Sequence, residues 1–173
     1  MPWCVQQRLL LDPPLAGCLL RPLAFTVQAH AISSTASAAD TFGNITTDPT
    51  FRGGDFYAFV FEFSGRCVAH GAHSDFVGMT LHDIMGALDM PDSILSGAED
   101  THQQFMAAAE AGGGWVGYEW ANLDEPDEPS FQKVAYIFSL HRAGIEYYGG
   151  ADQTLLRSPA FGCLALPSDS CDI

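Results

Sequence analysis

A run of aromatic and β-branched residues, Phe56–Phe63 (FYAFVFEF), is the feature that most constrains how this chain can fold. Such residues favour strands, and a nearly unbroken apolar run predicts a strand that is buried on both faces. Ser64-Gly65 follows as a two-residue turn, and Arg66–His70 returns as a second strand. The sequence therefore predicts a hairpin in a largely covered sheet.

Two helices and three further strands are predicted after this hairpin. Thr80 and Asp83 have the spacing of a capping box at the start of a short helix. A second helical stripe runs over Pro91–Ala111 and ends at the glycines of 112–114. The three strands are predicted at Trp115–Ala121, Gln132–His141 and Ile145–Tyr148.

The order of these elements predicts an α+β domain. Strands that follow one another through short turns pair in an antiparallel way, so we expect an antiparallel sheet of about five strands with helices packed on one side. We expect residues 42–151 to form this domain. Residues 1–41 are expected to be a poorly defined leader or an N-terminal helix, and residues 152–173 a loose tail.

The charge balance excludes several classes of partner. The chain has 7 Lys and Arg residues against 21 Asp and Glu residues, which gives a formal net charge of -14. Such a protein repels phosphate backbones and anionic lipid, so nucleic acid is not an expected partner. Lys133 is the only lysine in the chain, which makes it a conspicuous cation.

The cysteines and the apolar segments do not decide the cellular compartment. There are five cysteines and no CxxC pair, which argues against a structural zinc site. Cys163 and Cys171 could form a disulfide, but the sequence does not decide this. No run of 18 apolar residues is present, because charged residues and prolines interrupt Leu9–Ala31. Either the chain is soluble as written or its true start and anchor are missing.

Five short segments, in this order and spacing, resemble the single-Cache domains (sCache_2-like) of bacterial chemoreceptors and sensor kinases. These domains are PAS-like extracellular sensor modules. The resemblance covers about residues 42–151. The segments that carry it lie at Gly54–Val60, Ala69–Gly71, Gly114–Asn122, Lys133–Tyr136 and Gly149–Gly150.

The resemblance implies both a fold and a function. It implies a PAS-like sheet that binds a small organic acid or similar metabolite in chemotaxis-like signal transduction, with no enzymatic activity and no cofactor. It also implies a periplasmic or extracellular-facing location, although the sequence has no clear signal peptide. A homodimer or a membrane signalling partner is a further possibility. The usual output modules are absent, which puts a direct role in transmembrane signalling in doubt.

The candidate ligand-binding residues centre on Lys133, whose ammonium suits a carboxylate inside an aromatic-walled cavity. A solvated surface lysine is the alternative for Lys133, and core packing is the alternative for the aromatic residues. His70 is a candidate pocket residue. Metal binding together with His73 is a weaker alternative, because the His-x-x-His spacing at a strand end does not place the two rings on a shared face. The full candidate set is Lys133, Tyr118, Trp120, Tyr136, His70, Tyr57 and Trp115.

Three other functions stay open at this point. The chain could be a free-standing binding protein that delivers a ligand without signalling. It could be a protein–protein adaptor, because PAS-like sheets often dimerise. An enzyme that uses His70 and a nearby acid is the third alternative, but the sequence shows no pairing of a nucleophile with a base.

Overall fold

The computed structural model describes residues 16–33, 35–53, 56–121 and 130–154, which form five α-helices and six strands. The Cys163–Cys171 pair and the tail beyond residue 154 lie outside these residues. Two 3₁₀ turns, Pro49–Phe51 and Ser74–Phe76, complete the elements. The helices and strands are α1 Ala16–Ser33, α2 Ala38–Thr47, β1 Arg52–Gly53, β2 Phe56–Glu62, β3 Cys67–His70, α3 Leu81–Ala87, α4 Asp92–Leu95, α5 Ala98–Glu110, β4 Gly114–Ala121, β5 Ser130–Arg142 and β6 Ile145–Thr154.

The strands form one antiparallel sheet in the order β1-β2-β6-β5-β4, with β3 also paired to β2. This arrangement confirms the predicted α+β class and the predicted hairpin of β2 and β3. The hairpin carries an irregularity between Val60 and Phe61, where the register of β2 against β3 shifts. Strand β2, the aromatic run, lies inside the sheet, and its residues from Ala58 to Phe61 are buried. Its position explains why it is apolar on both faces.

Strands β5 and β6 form a long hairpin around a tight turn. Ala143 (φ 52°) and Gly144 (φ 81°) connect Arg142 to Ile145, and both have the left-handed backbone of a two-residue turn that matches strand twist. Strand β6 runs to Thr154, whereas the sequence predicts a strand over Ile145–Tyr148 and a domain that ends at residue 151. The glycines and polar residues of its second half have low strand propensity. Pairing with both β2 and β5 keeps them extended.

The helical region between β3 and β4 differs from the prediction in one respect. The capping box is confirmed: the Asp83 amide donates to Thr80 Oγ1, and the Thr80 amide donates to Asp83 Oδ2, both at 3.1 Å. The single helix predicted over Pro91–Ala111 is instead two helices, α4 and α5. They are separated at Ser96 and Gly97, because a turn with a Gly97-to-Ile94 backbone bond ends the short first helix.

Helices cover both faces of the sheet. Helices α3, α4 and α5 pack on the face that contains Phe59, Ile137 and Tyr148. The sequence predicts helices on one side only; α1 and α2 cover the second face, where they contact β5, β6 and β3. Helix α1 and the start of α2 lie in residues 1–41, which the sequence left open between a leader and an N-terminal helix, and α2 continues to Thr47 inside the predicted domain. Within the described residues, no helix has the length and apolar character needed to cross a membrane.

Two glycines in β6 make room for aromatic rings. A Cβ added at Gly150 would lie 2.6 Å from Phe59 Cζ and 2.9 Å from Ile137 Cδ1, both of which are buried. Contacts this short require the ring or the strand to move. Packing against these side chains, rather than a turn conformation, therefore requires glycine at position 150.

We expect Gly150→Ala to lower the free energy of unfolding by about 1–3 kcal/mol, because it overpacks the core between β2 and β5. Urea denaturation followed by circular dichroism measures this change. Gly86→Ala is the matched control, because Gly86 is exposed in α3 and its added methyl group meets no neighbour. This control should leave the stability unchanged or raise it by up to about 1 kcal/mol. Equal effects of the two substitutions would contradict the packing argument.

Candidate ligand-binding site

The sheet register brings four polar side chains together on the face covered by α3 and α5. Tyr57 of β2 and Ala135 of β5 both lie opposite Asp152 of β6, and Tyr118 of β4 lies opposite Lys133 of β5. Side chains alternate between faces along each strand, so these four polar residues point to the same side. We call Tyr57, Tyr118, Lys133 and Asp152 the polar cluster.

Lys133 is buried within this cluster, with only 6% of its surface exposed. Its Nζ donates to the Tyr57 hydroxyl at 2.7 Å and lies 3.4 Å from Asp152 Oδ2. The same ammonium lies 4.9 Å from the centroid of the Tyr57 ring and 4.7 Å from that of Trp120, over both ring faces. The alternative of a solvated surface lysine is therefore wrong.

Asp152 is the partner that balances this buried charge. Its Oδ2 accepts from the Tyr57 hydroxyl at 2.9 Å, from the Tyr118 hydroxyl and from Lys133. Its Oδ1 is buried and accepts no hydrogen bond from the described residues. Burial, followed by the Asp152 charge, raises the pKa of Tyr57 and of Tyr118 well above the usual range, so both hydroxyls stay protonated and donate.

A small cavity borders the polar cluster. Its volume is about 20 Å³, which is roughly enough for one water molecule. The polar part of its lining comes from the sheet, which also contributes Phe59, Phe61 and Trp120, and the helices contribute only apolar side chains. Its lining consists of Tyr57, Phe59, Phe61, His70, Leu81, Ile84, Phe105, Tyr118, Trp120 and Asp152.

His70 lies at one edge of the cavity as a neutral imidazole. Its ring packs 4.7 Å from the Tyr57 ring, and its Nδ1 accepts from the His73 amide at 3.0 Å. Burial, with smaller contributions from His73 and Lys133, lowers the pKa of His70 to about 3. Among the described residues, no group of three or more His, Cys, Asp or Glu side chains could hold a metal ion.

The structure brings together five of the seven residues that the sequence predicts to bind a ligand. Lys133, Tyr118, Trp120, Tyr57 and His70 all border or form the polar cluster. Their role in ligand binding remains a prediction.

The two other predicted residues, Trp115 and Tyr136, do not belong to this site. They lie opposite each other on β4 and β5, with ring centroids 5.0 Å apart, and pack against the core on the α1 side. Residues 115 and 136 have the opposite strand parity from 118 and 133. Because side chains alternate along a strand, they point to the other face of the sheet.

Asp152 was not predicted from the sequence. It follows two glycines and an alanine, at a position that the sequence assigns to a tail. A signal was available: extending the hairpin around Ala143 and Gly144 places residue 152 opposite residue 135, beside Lys133. A buried lysine also requires an acidic partner, and Asp152 is the acidic residue that this register brings to it.

The chain is similar to several solved structures, but only in fold. No protein-family profile matches the sequence, and no curated protein matches it significantly. A solved periplasmic sensor domain of a chemotaxis protein aligns with a TM-score of 0.50 at 19% identity, over 78% of this chain and 87% of that one.

Two other solved structures align less closely. A Cache chemosensory domain described for its carboxylic acid recognition aligns with a TM-score of 0.48 at 13% identity, over 78% of this chain and 84% of that one. The PAS domain of Bordetella pertussis BvgS aligns with a TM-score of 0.44 at 12% identity, over 67% of this chain and 84% of that one.

We expect Lys133→Met to lower the free energy of unfolding by about 3–5 kcal/mol, because it leaves Asp152 buried without its cation. Chemical denaturation at pH 7 measures the loss. The double variant Lys133→Met/Asp152→Asn removes both charges and should recover most of the stability, to within about 1–2 kcal/mol of the native protein. A single variant as stable as the native protein would show that the pair does not interact.

The stability of the fold should fall as the pH drops from about 6.5 toward 3. In this range an unfolded His70 binds a proton and the buried imidazole does not, so acid favours the unfolded chain. Urea unfolding between pH 7 and pH 5 should show that this residue contributes a slope approaching about 1.4 kcal/mol per pH unit below pH 6. His70→Asn, which keeps an acceptor for the His73 amide, should remove that contribution. His82→Asn on the exposed face of α3 should not change the slope.

Proposed function

We propose that this chain, which has the Cache/PAS-like fold that its sequence predicts, is a sensor domain that binds a small organic acid beside Lys133. The observation that carries this proposal is the buried ammonium, which lies over two aromatic rings and whose hydrogen-bond partners Tyr57 and Asp152 line a cavity. In such low-dielectric surroundings a contact between the ammonium and a carboxylate is much stronger than in water.

The buried pair is not explained by stability alone. Desolvation of two charges costs several kcal/mol per ion, and well-packed apolar residues of similar volume are often as stable. The separation of 3.4 Å between Nζ and Oδ2 is also longer than that of a close ion pair. An ammonium has three donors, and Tyr57 and Asp152 take two of them. The third donor supports a contact with a ligand.

The cavity is too small for the proposed ligand, so the site would have to open for binding. A space of about 20 Å³ is too small for an organic acid, so binding would displace the elements that close it. Helix α3, which lines the cavity with Leu81 and Ile84, suits this role together with α4. Leu81 and Met85 of α3 and Ile94 of α4 form a small apolar cluster of their own beside the main core. Movement of this unit between a closed and an open position would convert ligand binding into a conformational signal.

The location and the output of the sensor belong to the same proposal. We infer an extracytoplasmic position and an output through a homodimer or a membrane partner. The support is the shared fold with the periplasmic sensor domain. The polar cluster contains no nucleophile paired with a base, which supports binding rather than catalysis.

One observation favours a second candidate, a PAS-like adaptor that binds proteins and no small molecule. The cavity is nearly filled in this structure, as it would be in a domain whose sheet only supports an interface. The two candidates differ in one property, because an adaptor should not respond to small acids.

We expect formate, acetate or propionate to bind and to stabilise the fold. At a ligand concentration about 100 times Kd, the free energy of unfolding should rise by about 2.7 kcal/mol. Calorimetric titration at pH 6 and thermal unfolding measure the two effects. The double variant Lys133→Met/Asp152→Asn should remain folded and lose the binding, whereas Trp115→Phe, on the opposite face, should retain it. Absence of binding by all three acids in the native protein would contradict the proposal and favour the adaptor.

A further inference from the structure

The charge balance of the polar cluster limits the form in which an acid can be bound. Lys133 contributes one positive charge and Asp152 one negative charge, and the two side chains are only 7% and 2% exposed. A bound carboxylate would bring a second negative charge to the same buried place. Two carboxylates that share one enclosed cation repel each other strongly enough that one of them takes up a proton.

The hydrogen bonds of Asp152 offer a place for that proton. Oδ2 already accepts from Tyr57, Tyr118 and Lys133, whereas Oδ1 is buried and accepts from none of the described residues. A proton shared between Oδ1 and a ligand oxygen would satisfy this atom. It would also replace the repulsion between two anions by a hydrogen bond.

Few other titratable groups around Asp152 could hold this proton. On β2 and β4, Tyr57 and Tyr118 already carry their protons, because the pKa of each is raised. On β5, Lys133 Nζ already donates to the Tyr57 hydroxyl and to Asp152.

The surrounding elements add a single further proton acceptor. Burial raises the pKa of Cys67 on β3 to about 12 and raises the pKa of Tyr148 on β6, so both are protonated. Helices α3 and α5 present apolar side chains to the cavity. His70 on β3 is neutral and is therefore the one competing acceptor among the described residues that line the cavity.

We propose that carboxylate binding at this site takes up one proton, which is held between the ligand and Asp152. This inference rests on the proposed function, because it concerns the same ligand and the same site. It makes the domain respond to acid concentration and pH together. A dissolved carboxylate, whose pKa is about 4–5, is ionised near neutral pH, so the proton must come from solution.

The native protein and acetate provide the first test. If one proton accompanies each acetate, Kd should rise about tenfold per pH unit, or about 100-fold between pH 6 and pH 8. Calorimetric titration in buffers with different ionisation enthalpies, phosphate and Tris, should give an uptake of about one proton per acetate. Binding with a constant Kd and no proton uptake would overturn this inference while leaving the proposed function intact. Absence of binding at any pH would overturn both.

Two variants identify the group that holds the proton. Asp152→Asn removes the competing anion, so acetate should bind with no proton uptake and with the same Kd at pH 6 and pH 8. His70→Asn should keep the native pH dependence and the uptake of one proton. Asp100→Asn, exposed on α5, is the control for loss of one negative charge. Loss of the uptake in His70→Asn would overturn the assignment to Asp152. If Asp152→Asn does not fold, a full proton taken up by both the native protein and His70→Asn still supports it.

Discussion

The buried ion pair of Lys133 and Asp152 is the interaction on which the site depends. It exists because three neighbouring strands, β2, β6 and β5, hold their residues in a register that brings Tyr57, Asp152 and Lys133 to one face. Each charge compensates the desolvation of the other, and two tyrosine hydroxyls complete the bonding. The proposed function assigns the remaining acceptor of Asp152 and the remaining donor of Lys133 to a ligand that both donates and accepts.

The two-sided packing of the sheet makes such a site possible. Helices α1 and α2 supply a large apolar core on one face, which provides stability. The other face can then contain charges and a cavity under helices α3 and α5. Under the proposed function, this division between a stabilising face and a polar face agrees with the general observation that functional sites reduce stability.

Much of the candidate site could be predicted, and the failures have identifiable causes. Strand alternation correctly groups Tyr118 with Trp120, but pooling all the aromatic residues wrongly added Trp115 and Tyr136, which point to the opposite face. Asp152 was missed because its segment lacks strand propensity. Local pattern therefore identified the aromatic wall, whereas the charge that pairs with Lys133 required knowledge of which strands lie side by side.

The sequence by itself determined strands β2 to β5, the start of β6, the capping box and the α+β class, because each follows from residues close together in the chain. The tertiary structure alone decided that Lys133 is buried, that Asp152 is its partner and that the cavity is small. These properties depend on contacts between residues far apart in sequence. Their energies come from burial, which a local pattern does not specify.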